Sequence, residues 1–590
     1  MSTKHFFNDP THLVNSALLA ASLTNPALAV DSHHKIVYLR PSDAPSQVSL
    51  VSGGGSGHEP SFTGLVGQGL LTASVAGTIF ASPSAEQISA GIVTRVDTDK
   101  GVLAIVKNYT GDVLNFETAV EKAKSAGVKV DMVVVGDDVG VGRAKAGKVG
   151  RRGIAGTVLV VKIAGALAEL GYSLEDVRRI ANLTASNLVS VGASLDHVHV
   201  PGRDVVDQND SDRLKYEETE VGMGIHNEAG SARLAVTVEE LVKTMLKQLL
   251  DQSDKDRAYL KVNSKEVVLL VNNLGGVSPL EMGGITTEVA AQLRRNYQIE
   301  PCRILAGTYM TSLNGSGFSI TLLNTVPTGL PPTLLSLLDA PSQATGWAAP
   351  ILAKTWTADN TATREKTHQT ASAAQPTGLT MDEVSARHRL NAGLARIIAA
   401  EPRVTRYDTV VGDGDCGIGL KRGAEAVQAM LVRARPSGDV VVDVRSVAAV
   451  VEASMDGTSG ALYTIFLNAL VAALRRQGKG VATEQVWAKA LSEALLALER
   501  YTPAKPGDRT LVDALEPFVV TLGETGDLKN ASEAAKKGAE GTRGMEASLG
   551  RTVYVGGQGF KDVPDPGAYG LSEFFLGFAG IEEETDGGDA

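Results

Sequence analysis

The sequence predicts an α/β unit followed by an all-α unit, and three observations carry that prediction. Over roughly the first 340 residues, short runs rich in Val, Ile and Leu alternate with helix-length stretches. Residues 341–380 then turn to Pro, Ala, Ser, Thr and Gln. After Thr380 helix-length segments follow one another with almost no strand pattern. Strand, loop and helix in alternation argue for layers built on buried strands.

In chain order, strands are expected at Val48–Val51, Val102–Lys107, Val130–Val135, Val267–Val271 and Phe318–Leu323. Helices are expected at Ala85–Val96, Phe116–Ala126 and Val238–Asp251. Functional loops should sit at the carboxyl ends of such strands. This gives a first domain over 1–345, a linker over 346–380 and a helical domain over 381–590. Thr380 and Glu383 have capping-box spacing at the first helix of the second domain. Helical segments follow at 381–400, 417–435, 441–454, 460–477, 483–501, 508–523 and 529–549. Val440-Val441-Val442 is strand-like but too isolated to anchor a sheet. The last ten residues hold five acids and no base, the composition of a solvated tail.

Composition narrows the function classes. The 590 residues are 43% hydrophobic and 21% charged, which excludes a mainly disordered chain. A net charge of −11 makes nucleic acid and anionic membranes poor general partners. Two cysteines, Cys302 and Cys416, rule out a disulfide framework and suit a reducing, cytoplasmic setting. Near the N-terminus, Lys4 and His5 precede the apolar run Ala17–Leu23, but Asp9, Pro10 and Asn15 interrupt the region, so secretion is not expected. The apolar stretch Ala461–Leu474 is too short to span a bilayer.

Two literal motif matches fail on their chemistry. Gly142–Lys148 spells the start of a phosphate loop, but Val149 stands where a Mg²⁺-holding hydroxyl is needed, so a basic surface loop is expected. Gly412–Gly417 spells G-x-G-x-x-G, but Asp413 and Asp415 would repel pyrophosphate and no convincing strand precedes it. With a divalent cation the same segment makes sense: Asp408, Asp413 and Asp415 lie within eight residues, and Mg²⁺ pairs carboxylates with nucleotide phosphates. The plainer reading is an acidic turn between helices. Asp456-Gly457-Thr458-Ser459-Gly460 opens an apolar helix, as an anion site or simply as an N-cap by Thr458 or Ser459.

In the first domain, Ser52-Gly53-Gly54-Gly55-Ser56-Gly57-His58-Glu59-Pro60 follows a strand. So many glycines suit close approach to the backbone, with His58 as a possible acid or base. Lys107 and Asp112 close another strand five residues apart, and Gly222–Glu228 forms a third glycine loop around His226. Their plainer readings are a flexible turn, a salt-bridged turn and an exposed histidine. His197-Val198-His199 lacks a third zinc ligand.

Taken together these segments closely resemble the single-chain, ATP-dependent dihydroxyacetone kinases. The carriers are SGGGSGHEP at 52–60, IVKNYTGDVLNF at 105–116, RRGIAGT at 151–157, GMGIHNEAG at 222–230, NNLGG at 272–276, and the GDGDCG and DGTSG loops. They span both domains in the family's order.

The resemblance implies two α/β subdomains for the substrate, then an eight-helix barrel for the nucleotide, one helix more than the seven counted above. It implies phosphorylation of dihydroxyacetone, and of glyceraldehyde too, by ATP with two Mg²⁺ ions, in a cytoplasmic homodimer. It gives His226 a covalent role, its ring nitrogen adding to the ketone to form a hemiaminal that glycerol cannot form. Gly55, Ser56, Gly57, His58, Lys107 and Asp112 match the substrate site, with His58 and Asp112 as acid–base pair. Asp408, Asp413 and Asp415 match magnesium ligands. Asp413, Gly414, Asp415, Cys416, Thr458, Ser459, Asp565, Pro566 and Gly567 match nucleotide contacts. Two other outcomes remain within the resemblance: a cyclising FAD-AMP lyase, as in some animal relatives, and a ketose-sensing regulatory protein, which would need no catalytic metal.

Overall fold

The computed structural model of the chain describes residues 3–204, 214–363, 375–549, 551–554 and 559–582. The chain divides between residues 363 and 364 into two compact units. The middle of the expected linker, 364–374, and the end of the acidic tail, 583–590, lie outside the described residues.

The first unit contains two six-stranded sheets. In one, Ala73–Ile79, Ser49–Ser56, Val102–Lys107 and Val130–Val135 lie side by side in parallel, with the hairpin Leu28–Asp31 and Ile36–Leu39 antiparallel at one edge. In the other, the order is Arg303–Gly307, Val267–Asn273, Gly317–Asn324, Leu188–Ser194, Thr219–Val221 and Ala232–Leu234, antiparallel except for its first pair. All five expected strands are present, and so are the three expected helices, as Ala85–Thr94, Thr110–Ser125 and Val238–Leu250. Helix Gly156–Glu169 touches strands of both sheets and buries every residue except its last. A helix apolar on all sides belongs in a core. The N-terminal apolar run is the second half of helix Pro10–Thr24, which starts on Asp9 as N-cap and buries Val14 and Leu18.

The second unit contains eight helices of ten residues or more among the described residues: Glu383–Val411, Cys416–Arg433, Val440–Ser454, Gly457–Gln477, Glu484–Leu498, Val512–Thr525, Leu528–Gly541 and Pro566–Phe578. Each packs on the next and the last packs back on the first, closing a ring. Glycines allow that closure, since a Cβ on Gly577 would fall 2.9 Å from the Cα of Gly393. The ring encloses an apolar cavity of about 160 Å³.

Three expectations need correction. The helix missing from the count is Pro566–Phe578; ten of its thirteen residues are buried, so it carries no polar stripe to reveal it. The first helix is capped by Asp382, which accepts from the amides of Val384 and Ser385, and not by Thr380. Val440–Val442 is the first turn of a helix because Asp439 caps it, accepting from Val441 and Val442. Helix Gly457–Gln477 is long and apolar enough to cross a membrane, but Phe466, Leu470 and Leu474 are buried in the ring core.

Candidate active site

In the first unit, the ends of strands from both sheets bring the expected site residues together. Strand Ser49–Ser56 delivers the glycine loop. At Gly57, with φ +103°, a Cβ would stand 2.8 Å from the Phe80 ring. At Gly54 a Cβ would stand 3.3 Å from Asp112 Oδ2 and 3.4 Å from Lys107 Cε, so those two side chains converge on bare backbone. The Ser56 hydroxyl donates to Gly77 O at 2.9 Å, which ties down the loop.

His58 is fully buried and stacks on Phe80. Its Nδ1 lies 2.8 Å from Thr311 O and its Nε2 lies 3.0 Å from His226 Nε2. Burial, then the charges of Lys107 and His226, push His58 well below an ordinary imidazole. Lys107, at the end of its strand, is also fully buried, and its ammonium sits 5.3 Å from the Tyr109 ring and 5.6 Å from the Phe62 ring. Burial lowers its pKa to about 8, opposed mainly by the charge of Asp112. Asp112 occupies the first turn of helix Thr110–Ser125 and is buried. Lys107 Nζ, Asp112 Oδ1 and Tyr109 Oη are buried with no hydrogen-bond partner among the described residues. Orphaned polar atoms gathered in one place are costly unless a ligand completes them.

His226 projects from the loop between Thr219–Val221 and Ala232–Leu234. Its Nδ1 is 2.9 Å from Glu228 Oε1, and its backbone amide donates to Glu228 Oε2 at 3.0 Å. The Phe80 and Tyr109 rings stand at 86° and 90° to the imidazole. Burial works to raise the Glu228 pKa, but the hydrogen bond and charge of His226 overcome it and bring it to about 2.

The remaining first-unit motifs hold this loop. Arg152 pairs with buried Asp138 and donates to Gly222 O at 2.6 Å. Asp137 accepts from the amides of Ile154 and Gly156. Asn272 accepts from the amides of Tyr309 and Met310, fixing the turn that offers the Thr311 carbonyl, while Ser312 donates to Ile225 O. Asn227, at φ +66°, exchanges two hydrogen bonds with the backbone of Val198.

In the second unit, one ligand oxygen from each of Asp408, Asp413 and Asp415 lies within 4.8 Å of the others. Asp408 accepts from the Cys416 amide at 3.0 Å, and a Cβ on Gly412 would fall 2.4 Å from Asp408 Oδ1. These carboxylates open onto a cavity of about 640 Å³, with Thr458, Ser459, Asp565, Pro566 and Gly567 on its wall. Helix Gly457–Gln477 begins without a side-chain cap, so neither Thr458 nor Ser459 caps it. Burial pushes the Cys416 thiol up to about 12. Asp565 caps helix Pro566–Phe578 through the Ala568 amide, and burial raises its pKa to about 7.

The sequence reading missed Glu228, Arg152, Tyr109, Phe80 and the Thr311 carbonyl as parts of the site. Glu228, Arg152 and Tyr109 stand inside the quoted motifs, so the signal for them was present. The excluded motifs stay outside it: Arg143–Ala146 is a short helix, and His199 pairs with His5 while His197 faces Glu220 at 3.7 Å.

An α/β unit with a histidine pair and a largely helical unit, whose one two-stranded sheet among the described residues pairs Leu379–Thr380 with Gly480–Val481, with a carboxylate cluster beside an uncapped helix start, define a two-domain phosphotransferase architecture. The Dak1 domain model matches residues 20–346 and the DAK2 domain model matches 410–580. The chain belongs to the dihydroxyacetone kinase family. It is 43% identical to the dihydroxyacetone kinase of Pichia angusta over 98% of both chains. It is 44% identical to dihydroxyacetone kinase 2 of Saccharomyces cerevisiae, covering 98% of this chain and 99% of that one. The triokinase/FMN cyclase of Rattus norvegicus is 35% identical, with 98% of each chain covered. The crystal structure of the C. freundii dihydroxyacetone kinase in complex with AMP-PNP and Mg²⁺ superposes with a TM-score of 0.62 at 32% identity, covering 98% of this chain and 100% of that one.

Proposed function

We propose that this chain transfers phosphate from ATP to a hydroxyl of dihydroxyacetone, and of glyceraldehyde. The observation that carries the proposal is the convergence of His58, His226, Lys107 and Asp112, with buried polar atoms left unpartnered beside them. Unpartnered donors and acceptors side by side suit a small polar ligand that supplies both. Residues 1–345 form the ketose domain, 346–380 the linker and 381–590 the nucleotide domain.

His226 Nε2 adds to the ketone and holds the substrate as a hemiaminal, with Glu228 orienting the ring through Nδ1. Lys107 and the loop Gly55-Ser56-Gly57 position the hydroxyls, and His58 with Asp112 moves the proton off the attacking one. Asp408, Asp413 and Asp415 would hold two Mg²⁺ ions; three clustered carboxylates are the hard-oxygen donor set this metal takes. When bound, the ions neutralise charge on the transferring phosphoryl group. Asp413, Asp415, Cys416, Thr458, Ser459 and Asp565–Gly567, which line one cavity, would contact the nucleotide, with Gly414 in the same loop.

The decisive assay is ADP release that depends on both dihydroxyacetone and Mg²⁺. ATP turnover absent despite intact ketose binding would favour a sensor, and release of cyclic FMN from FAD with Mn²⁺ would reveal the cyclising activity. We further propose a cytoplasmic homodimer, checked by light scattering and by fractionation.

A further inference from the structure

His226 is carried by a short loop tip whose internal bonds do not fix where the tip stands. The Gly224 amide donates to Glu228 O at 2.9 Å, and the Asn227 amide donates to Gly224 O at 3.2 Å. With the Glu228 carboxylate bonded to the amide and ring of His226, these contacts make residues 224–228 a compact turn. A turn closed on itself can still shift as a unit between its two strands. Ties to other segments set its position, and they stand on both sides of His226. On one side the Ser312 hydroxyl donates to Ile225 O at 2.6 Å. On the other, Asn227 reaches the buried backbone of Val198. It accepts from the Val198 amide at Oδ1 and donates from Nδ2 to the Val198 carbonyl, both at 2.9 Å.

Position 227 makes two demands on its residue. Its φ of +66° lies in the left-handed region, which suits glycine and, among other residues, asparagine and aspartate. Val198 presents one donor and one acceptor side by side, and a carboxamide answers both at once. Glycine meets the backbone demand and offers no side chain. Aspartate has the same shape but would set a carboxylate oxygen against Val198 O. Asparagine meets both demands. Val198 is itself braced: a Cβ on Gly315 would stand 3.3 Å from its Cγ1. Before it, His197 faces Glu220 at 3.7 Å, and Glu220 accepts from the Gly230 amide at 2.6 Å, at the far end of the same loop. After it, His199 stacks on His5 with their ring nitrogens 3.0 Å apart, and a Cβ on Gly202 would fall 2.4 Å from Asn8 O.

Resting on the hemiaminal reading, we propose that Asn227 is a positioning residue for the covalent step: clamped to Val198, it holds His226 Nε2 at the ketose carbonyl carbon, with residues 197–199 as the brace behind it. In that step an imidazole N–H adds across C=O. An N–C bond and an O–H bond form, the C=O π bond and one N–H bond break, and no co-reactant is needed. The nitrogen lone pair must point at the carbonyl carbon, so a displaced tip lowers the share of bound ketose that is covalent. Lys107, Asp112 and the glycine loop stand on other segments and do not depend on the clamp. The clamp therefore governs the covalent share, and not ketose binding as a whole.

The test uses the full chain with [¹⁵N]histidine, as wild type, Asn227→Gly and Asn227→Asp, each titrated with [2-¹³C]dihydroxyacetone. In the wild type the bound carbon should be tetrahedral and coupled to ¹⁵N. In both variants a bound ketone carbon should appear beside the adduct. Their kcat/KM should fall about 5–100-fold, the scale of two lost hydrogen bonds. General loosening of the loop would lower affinity and leave the covalent share unchanged, so that result in either variant overturns the clamp. Asn227→Asp behaving as wild type would also overturn it, because shape and a left-handed backbone would then suffice. Should one variant fail to fold, the other still decides. A bound ketone carbon without coupling in the wild type refutes the hemiaminal reading, and this inference falls with it; that outcome is read before any variant is compared.

Discussion

Asp112→Asn separates proton transfer from substrate holding. The side chain is 3% exposed, and its Oδ1 has no partner among the described residues. The substitution is isosteric, so the site keeps its shape. Loss of a general base costs about 10²–10⁴-fold in turnover, which is about 3–5 kcal/mol of barrier. Loss of a negative charge in the first turn of helix Thr110–Ser125 costs about 0.3–1 kcal/mol of stability, opposed by relief of a buried carboxylate, so the fold should hold. A second readout follows from Lys107. Burial depresses its pKa to about 8, and Asp112 is the largest charge opposing that depression. With Asp112 neutral the pKa falls further, the ammonium is lost at lower pH, and the alkaline limb of kcat/KM moves toward neutrality. Coupled ADP-release kinetics across pH measure both effects. A kcat within tenfold of wild type with a raised KM would refute the base assignment and leave Asp112 as a substrate contact only.

Asp413→Asn or Asp415→Asn should reduce ATP turnover to background while calorimetry still shows ketose binding; loss of ketose binding in a folded variant would contradict the domain assignment. Gly57→Ala should cost about 1–3 kcal/mol through its left-handed backbone and weaken ketose binding by pushing Phe80, and an unchanged melting temperature would argue against that strain. In the wild type, kcat/KM should fall as pH rises through about 8, where Lys107 loses its charge; a profile flat to pH 10 would remove the ammonium from substrate binding. Mixing a His226→Ala chain with an Asp413→Asn chain tests transfer between protomers, since active mixed dimers require it and inactive ones exclude it.

The fold was legible where burial is one-sided or strands are short. Val102–Lys107 and Val130–Val135 read correctly because apolar β-branched runs bounded by turns have few other uses. Strand Ala73–Ile79 was missed because Ala, Ser and Gly at its core give little strand signal, although five of its first six residues are buried. Helix Pro566–Phe578 was missed for the opposite reason: burial on nearly every side removes the periodicity by which a helix is recognised. At Val440–Val442 a cap outweighed intrinsic β preference, since Asp439 satisfies two amides and two of the three valines enter the core.

The site shows a different limit. A motif names the residue that meets substrate, and His226, His58, Lys107 and Asp112 could each be picked out one by one. Their joint chemistry is a property of distances between segments far apart in sequence. His58 and His226 are 168 positions apart, and the carbonyl that fixes the His58 tautomer is 253 positions from it. Glu228 stood in plain view two residues from His226, but a carboxylate near a histidine is ordinary. Its meaning depends on Thr311 O pinning the other end of the chain of hydrogen bonds. Without that pin the two nitrogens of the His58 ring could exchange roles. With it, Nδ1 is committed to the carbonyl and Nε2 is the atom that faces His226.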